Sequence, residues 1–194
     1  ATVYQPTVKI ITSAYDDNNT RVAKSIAGVA TERHLTDYEN PTGYSQTIAL
    51  LDSTAASTQR DFVYGADLVA QRDATAGVAF FHGDILASTR LLSAADGGGV
   101  TETKFDYSPF GESISNSFGS LASHAFTGQW CDDSLTLQNH RLRWLNTRLG
   151  LWISPDPVFD FPYNFANSFS YAGDNPICNI DATGGFTTTE LVAT

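Results

Sequence analysis

Four aspartates in the C-terminal part of this 194-residue chain, Asp156, Asp160, Asp174 and Asp181, are the residues best suited to chemistry. Acid–base catalysis needs one group to take up a proton and another to give one. Two carboxylates held close can divide those roles, because their mutual repulsion raises one pKa. Asp156 is framed by prolines in Ser154-Pro155-Asp156-Pro157, and Asp181 opens Asp181-Ala182-Thr183-Gly184-Gly185. The same settings suit turns, since Asp beside Pro or Gly bonds its own following amides.

No other group of residues is as well formed for chemistry. His34, His82, His124 and His140 lie far apart without ligand spacing and read as strand or turn residues, so neither a metal nor a cofactor is expected. Asp16-Asp17-Asn18-Asn19 lacks the Gly and distal Glu of a calcium loop and reads as a turn. Cys131 and Cys178 are either a disulfide, worth roughly 3–4 kcal/mol in the loop-entropy picture, or two buried thiols. Arg141 and Arg143 alternate with Leu142 and Trp144, the pattern of a strand with one basic face suited to stacking or ion pairing.

Composition narrows the class. The chain is 42% hydrophobic and 12% aromatic, enough for a real core, but only 16% charged. Its 16 Asp against 5 Glu, many beside Asn, Gly or Pro, place most of the −10 net charge in turns. With three Lys and no basic stripe, nucleic acid is excluded as a partner. No stretch is long and apolar enough to span a bilayer, and no signal peptide opens the chain. Met is absent, even at the first position, which points to a processed product or a piece of something longer.

The elements that must position these residues are short strands. Candidates are Val8–Thr12, Thr47–Leu51, Asp61–Tyr64, Leu68–Gln71, Val78–Phe81, Ser88–Leu92 and Thr103–Tyr107, with a turn leading into a strand over Tyr15–Val22. Near-regular spacing with Gly and Asx turns predicts an all-β meander of antiparallel strands. Asp96-Gly97-Gly98-Gly99 is the clearest hairpin turn. Helical signal is confined to single turns near residues 119–125 and 164–170.

An ordered set of short motifs carries a family resemblance. Ala14-Tyr15-Asp16 followed by Asn19-Thr20-Arg21-Val22 looks like a YD repeat. Asn40–Gln46, Phe80–Arg90, Phe105–Glu112 (FDYSPFGE), Phe126-Thr127-Gly128-Gln129, Arg141–Trp144, Gly150–Pro157, Tyr171–Pro176 (YAGDNP) and Asp181–Gly184 follow in order. Together they resemble the RHS repeat-associated core, the closing segment of RHS/YD-repeat proteins. The resemblance implies YD-repeat-like strands over 1–75, the core over 76–185 and a tail over 186–194, forming a sheet strip that curls inward at its C-terminal end.

The family further implies an intramolecular aspartyl protease. Asp156 and Asp181 would then be the catalytic carboxylates, with the cut in the region of Gly184, Gly185 and Phe186. Two departures bear on it: Leu151 stands where the family has Arg, and Asp181–Gly185 lacks the Pro and final Leu of the usual cleavage motif. The first functional expectation is therefore a structural shell module that closes or assembles a β-sheet shell of the toxin-encapsulating type. Its partners would be other RHS/YD-repeat segments or copies of itself, and a downstream effector as cargo. Autoproteolysis just after Gly184 is the alternative, and cell-surface adhesion or glycan binding is a third; the resemblance places such proteins outside the cell or at its surface. An open strip exposes unpaired edges that template further pairing. The chain is expected to self-associate edge to edge, and sedimentation showing a clean monomer at micromolar concentration would sink that expectation.

Overall fold

The computed structural model describes residues 10–95, 100–115, 122–132, 135–157, 167–185 and 188–189. Aspartate-headed turns set the rhythm of its main sheet. Asp16 Oδ1 accepts from the amides of Asn18 (3.0 Å) and Thr20 (2.9 Å) between β1 (Ile11–Tyr15) and β2 (Arg21–Ile26). Asp52 repeats the device between β4 (Gln46–Leu51) and β5 (Thr58–Tyr64), accepting from Thr54 and Ala56. Asp73 does so between β6 (Leu68–Asp73) and β7 (Gly77–Gly83), and Asp84 between β7 and β8 (Thr89–Ala95). Hydrogen bonds from Ser57 and Thr54 hold the Asp52 carboxyl well below the usual range. The acidic composition is thus largely turn chemistry.

With β3 (Val29–Asp37) and β9 (Val100–Lys104), these strands form one antiparallel sheet in sequence order, β1 to β9. The all-β meander expected from the sequence is what the chain builds. Register shifts interrupt six of the eight pairings, and each bulge adds local bend and twist to the strip. The 75/76 division falls in the β6–β7 hairpin, where Ala70 pairs with Phe80 across it. The Asp96–Gly99 turn and Asp160 lie outside the described residues, as do Phe186 and the rest of the tail except Thr188–Thr189.

Strand β3 was absent from the sequence expectation although it is nine residues long. Its inward positions carry polar side chains rather than apolar ones. Glu32 bonds Arg21 at 2.8 Å, and His34 stacks edge-on against Trp130 at 5.1 Å. The hydrophobic alternation that marks a strand is therefore missing.

After β9 the chain returns over one face of the strip. Phe126–Gly128 makes a single 3-10 turn, and β10 (Trp130–Asp132), β11 (Leu137–His140), β12 (Arg143–Asn146) and β13 (Leu151–Trp152) form a second antiparallel sheet. A 3-10 turn at Ala172–Asp174 precedes the small pair β14 (Asn179–Ile180) and β15 (Thr188–Thr189). The aromatics of the sequence motifs meet here: Phe126, Leu145, Trp152, Tyr171 and Ala172 form one buried cluster, with Tyr107 and Phe110 packed on it. Gly111 (φ +90°) is required where it stands, because a Cβ there would lie 2.4 Å from the Phe126 ring.

Two corrections to the sequence expectation follow. Arg141–Leu142 is not strand but the two-residue loop joining β11 to β12, held by the Leu142 amide on Thr183 O (3.1 Å), and neither arginine presents a solvent-facing basic surface. The candidate bridge between Cys131 and Cys178 is not formed. Cys131 is a half-buried thiol beside the cluster of Ala79, Leu92 and Phe105, and Cys178 is an exposed one.

A buried ion group joins the two layers. Asp132, at the end of β10, accepts from Lys24 Nζ (2.8 Å) and faces Arg21 Nη1 (2.9 Å), both from β2. Burial raises the Asp132 pKa, but the Lys24 hydrogen bond and the two positive charges outweigh it, and the carboxyl sits below its usual range. Its stabilising share is therefore present above pH about 4, where the unfolded carboxyl ionises, and is lost on acidification through the lower folded value. Asp132→Ala, which removes the carboxylate from Lys24 and leaves Arg21 with Glu32 alone, is expected to cost about 3–5 kcal/mol in urea unfolding. Asp61→Ala, which breaks the exposed pair with Arg72, should cost under about 1 kcal/mol. Equal losses would rule out the buried group as the inter-layer staple.

Candidate functional site

The Arg143 side chain draws the two sequence-assigned aspartates together. Its Nη2 lies 2.8 Å from Asp156 Oδ2 and 3.2 Å from Asp181 Oδ2. Nε donates to the Gly184 carbonyl and Nη1 to the Ser168 carbonyl (3.2 Å), while the guanidinium lies over the Trp152 ring with Cζ 4.2 Å from its centre. Strand β12 aims the arginine: Leu145 pairs with Trp152 of β13, so the cation and the ring that supports it come from adjacent strands. Burial pushes the guanidinium's pKa down and the two carboxylates push it back up, with a net fall. An arginine so placed remains charged.

Asp181 is engaged on both oxygens. Oδ2 faces Arg143, and Oδ1 accepts from the amides of Gly184 (2.8 Å) and Gly185 (3.2 Å) and from Thr183 Oγ1 (3.2 Å). The turn reading and the site reading of this residue are thus both realised. Gly184 (φ +74°) sits so close to β11–β12 that a Cβ would be 2.6 Å from His140 O and 2.9 Å from Arg143 N. Only glycine lets the segment lie flat against the hairpin.

His140 completes the floor. Its Nδ1 donates to Asp181 O at 2.7 Å, and its ring packs edge-on against Trp152 and Tyr171. Burial pulls its pKa down to about 3, so the ring is neutral. With the proton on Nδ1, Nε2 is an acceptor. The 3.4 Å approach of Gln138 Oε1 is then a contact and not a hydrogen bond, since the Gln138 amide nitrogen already faces Phe126 O (2.6 Å).

Around the Gly184–Gly185 peptide bond the geometry therefore provides three chemical elements. A guanidinium touches the carbonyl oxygen, a carboxyl group lies at the following amide nitrogen, and a second carboxylate rests on the same guanidinium nitrogen. The two aspartates differ in reach: the Asp156 side chain is 17% exposed and that of Asp181 1%. Asp174 is exposed in its 3-10 turn and forms no ion pair among the described residues. Leu151 occupies half-buried edge strand β13, and Arg143 supplies the guanidinium that the sequence left unassigned. The signal for Arg143 was its place between bulky apolar neighbours in a charge-poor chain. Among the described residues no group of His, Cys, Asp or Glu could hold a metal ion, and no helix is long and apolar enough to cross a membrane.

No protein-family model matches the chain. Salivary gland surface protein 1 of Aedes aegypti is 29% identical over 100 residues, which is 50% of this chain and 3% of that protein. Among solved structures, TcdB2-TccC3 superposes with a TM-score of 0.61 at 17% identity, covering 90% of this chain and 9% of the other. The Tc holotoxin pore of Photorhabdus luminescens does so with a TM-score of 0.57 at 14% identity, covering 95% and 9%. The fold is thus like that of RHS-repeat Tc toxin components, and the chain spans about a tenth of their length.

The neutral histidines give the fold a pH dependence. His140 and His124 both titrate near pH 3 when folded, against about 6.5 when unfolded. The unfolded chain binds the extra protons, so their share of stability is complete above pH about 6.5 and falls away toward pH 3. His140→Asn, which keeps a donor near the Nδ1 position, should lower the slope of unfolding free energy against pH by about 1.4 kcal/mol per unit near pH 5. An unchanged slope would mean that His140 is protonated in the folded state.

Proposed function

We propose that this chain is a structural module of a β-sheet shell acting outside the cell, in which the segment through Asp181–Gly185 closes the strip by docking on Arg143. The carrying observation is that one buried guanidinium binds Asp156, Ser168, Asp181 and Gly184, four points on the segment that follows β13. The Tc-toxin-like fold supports the reading, because the neighbours are assemblies many times longer in which such a strip is one part. Partners would be further strands of the same shell, joined at its edges.

The same geometry favours a second reading, self-cleavage at Gly184–Gly185. The two carboxylates meet at one guanidinium nitrogen, and this reading requires one of them to act as the acid and the other as the base. Asp156, the more exposed, would activate water against the Gly184 carbonyl polarised by Arg143, and protonated Asp181 would deliver its proton to the Gly185 nitrogen. The engaged state of Asp181 Oδ1, which accepts two amides, favours the structural role over this one.

Intact mass and hydrogen exchange on the chain carrying a C-terminal tag separate the two. The shell reading expects a full-length mass, with Arg143→Ala losing amide protection over 168–185 while β1 to β9 stay protected. A product ending at Gly184 in wild type, abolished by Asp156→Asn, would establish cleavage instead. A full-length protein whose 168–185 protection is indifferent to Arg143→Ala would remove both roles from Arg143.

A further inference from the structure

Among the described residues, Arg141 meets no carboxylate. Four arginines have their side chains withdrawn from solvent, and three of them meet carboxylates: Arg21 with Glu32 and Asp132, Arg60 with Asp73, and Arg143 with Asp156 and Asp181. Arg141 forms no ion pair among the described residues. Nε donates to Ser45 O (3.2 Å), and Nη1 donates to Gln129 Oε1 (3.0 Å) and Ala182 O; all three acceptors are neutral. The guanidinium lies over the Tyr44 ring at 5.1 Å, and Nη2 donates to none of the described residues. Burial lowers the pKa of the group.

Backbone strain points the same way. Arg141 has φ +62° at the first position of its two-residue hairpin loop, where glycine is the ordinary residue.

Beside this group lies a cavity of about 590 Å³ between the strip and the inner sheet, within the range of small-molecule sites. Arg141, Tyr44, Tyr64, Trp130 and Asn139 are part of its lining, and Tyr44 is 38% exposed. The histidines on its wall, His34 and His124, are shifted toward the neutral form by burial, and Arg21 is already neutralised. Of its carboxylates, Asp84 is bound to its own turn amides, and Asp67 forms no ion pair with Arg141.

We propose that this cavity binds a small organic anion: a carboxylate on a six-membered ring, with the carboxylate on Arg141 and the ring against Tyr64 and Trp130. Aromatic acids and sugar acids share that chemistry. Titration of the protein with benzoate, glucuronate, and neutral glucose and benzamide, followed by NMR shifts or calorimetry, tests it. Saturable binding of benzoate, glucuronate or both, with the neutral analogues at least tenfold weaker, is expected, and the preferred acid identifies the source. Arg141→Gln should weaken binding by about tenfold to a hundredfold, the loss of a charged hydrogen bond. Tyr44→Ala, at the rim, should weaken it with the near-UV spectrum intact, which keeps the test open if Arg141→Gln fails to fold. Absence of saturable binding at millimolar acid, or equal binding of acid and neutral analogue, overturns the proposal.

Discussion

Charge taken out of water sets the terms of this structure. A stranded buried ion costs several kcal/mol, so each cation drawn under the sheet has to be met by oxygens arriving from another segment. Arg143 gathers Asp156, Asp181 and two carbonyls; Arg21 and Lys24 of the strip meet Asp132 of the inner sheet. Arg60 binds Asp73 in the strip and Ser123 Oγ (2.7 Å) in the returning segment. A one-residue slip of any of these strands would turn the charged side chain to the opposite face. The ion groups therefore fix how the two layers sit, a role that apolar contacts, being non-directional, fill less sharply.

Apolar packing supplies the driving force and leaves little slack. The cluster joins Phe126, Trp152 and Tyr171, from three separate motifs, to Leu145, which follows a fourth, and Gly111 and Gly184 stand where any side chain would collide with it or with the hairpin beneath. A motif set scattered along the sequence is thus one contact set in space. That explains why the order of the motifs, rather than any one of them, carried the resemblance.

Local features were legible in the sequence and long-range ones were not. Asp16 announces its turn because the carboxylate bonds amides only two to four residues away. β4 to β8 were readable from apolar alternation. β3 was hidden because its inward side chains are Glu32 and His34, whose partners Arg21 and Trp130 come from other strands. The alternation of Arg141–Trp144 read as one strand, of which Arg143–Trp144 belong to β12, while the loop before them is set by positive φ at Arg141 and by Thr183, 41 residues beyond Leu142. Asp156 and Asp181 were found as positions. The arginine that joins them was read only as a basic face, because nothing near it in sequence shows what it faces.

Arg141 and Arg143 flank Leu142 in the hairpin and stand in opposite electrostatic states, one facing two carboxylates and the other none among the described residues. Both hold the same short run of backbone: Arg141 binds the Ala182 carbonyl, Arg143 the Gly184 carbonyl, and Leu142 the Thr183 carbonyl between them. Three consecutive carbonyls are thus tied to three consecutive residues of the hairpin. Ala182 also borders the cavity, and Asp181 belongs to the Arg143 group. A displacement of the segment at either arginine must shift the carbonyls held by the other, since a trans peptide leaves only φ and ψ to absorb it. The closing segment and the cavity wall are therefore parts of one mechanical unit, with Leu142 as its middle rung.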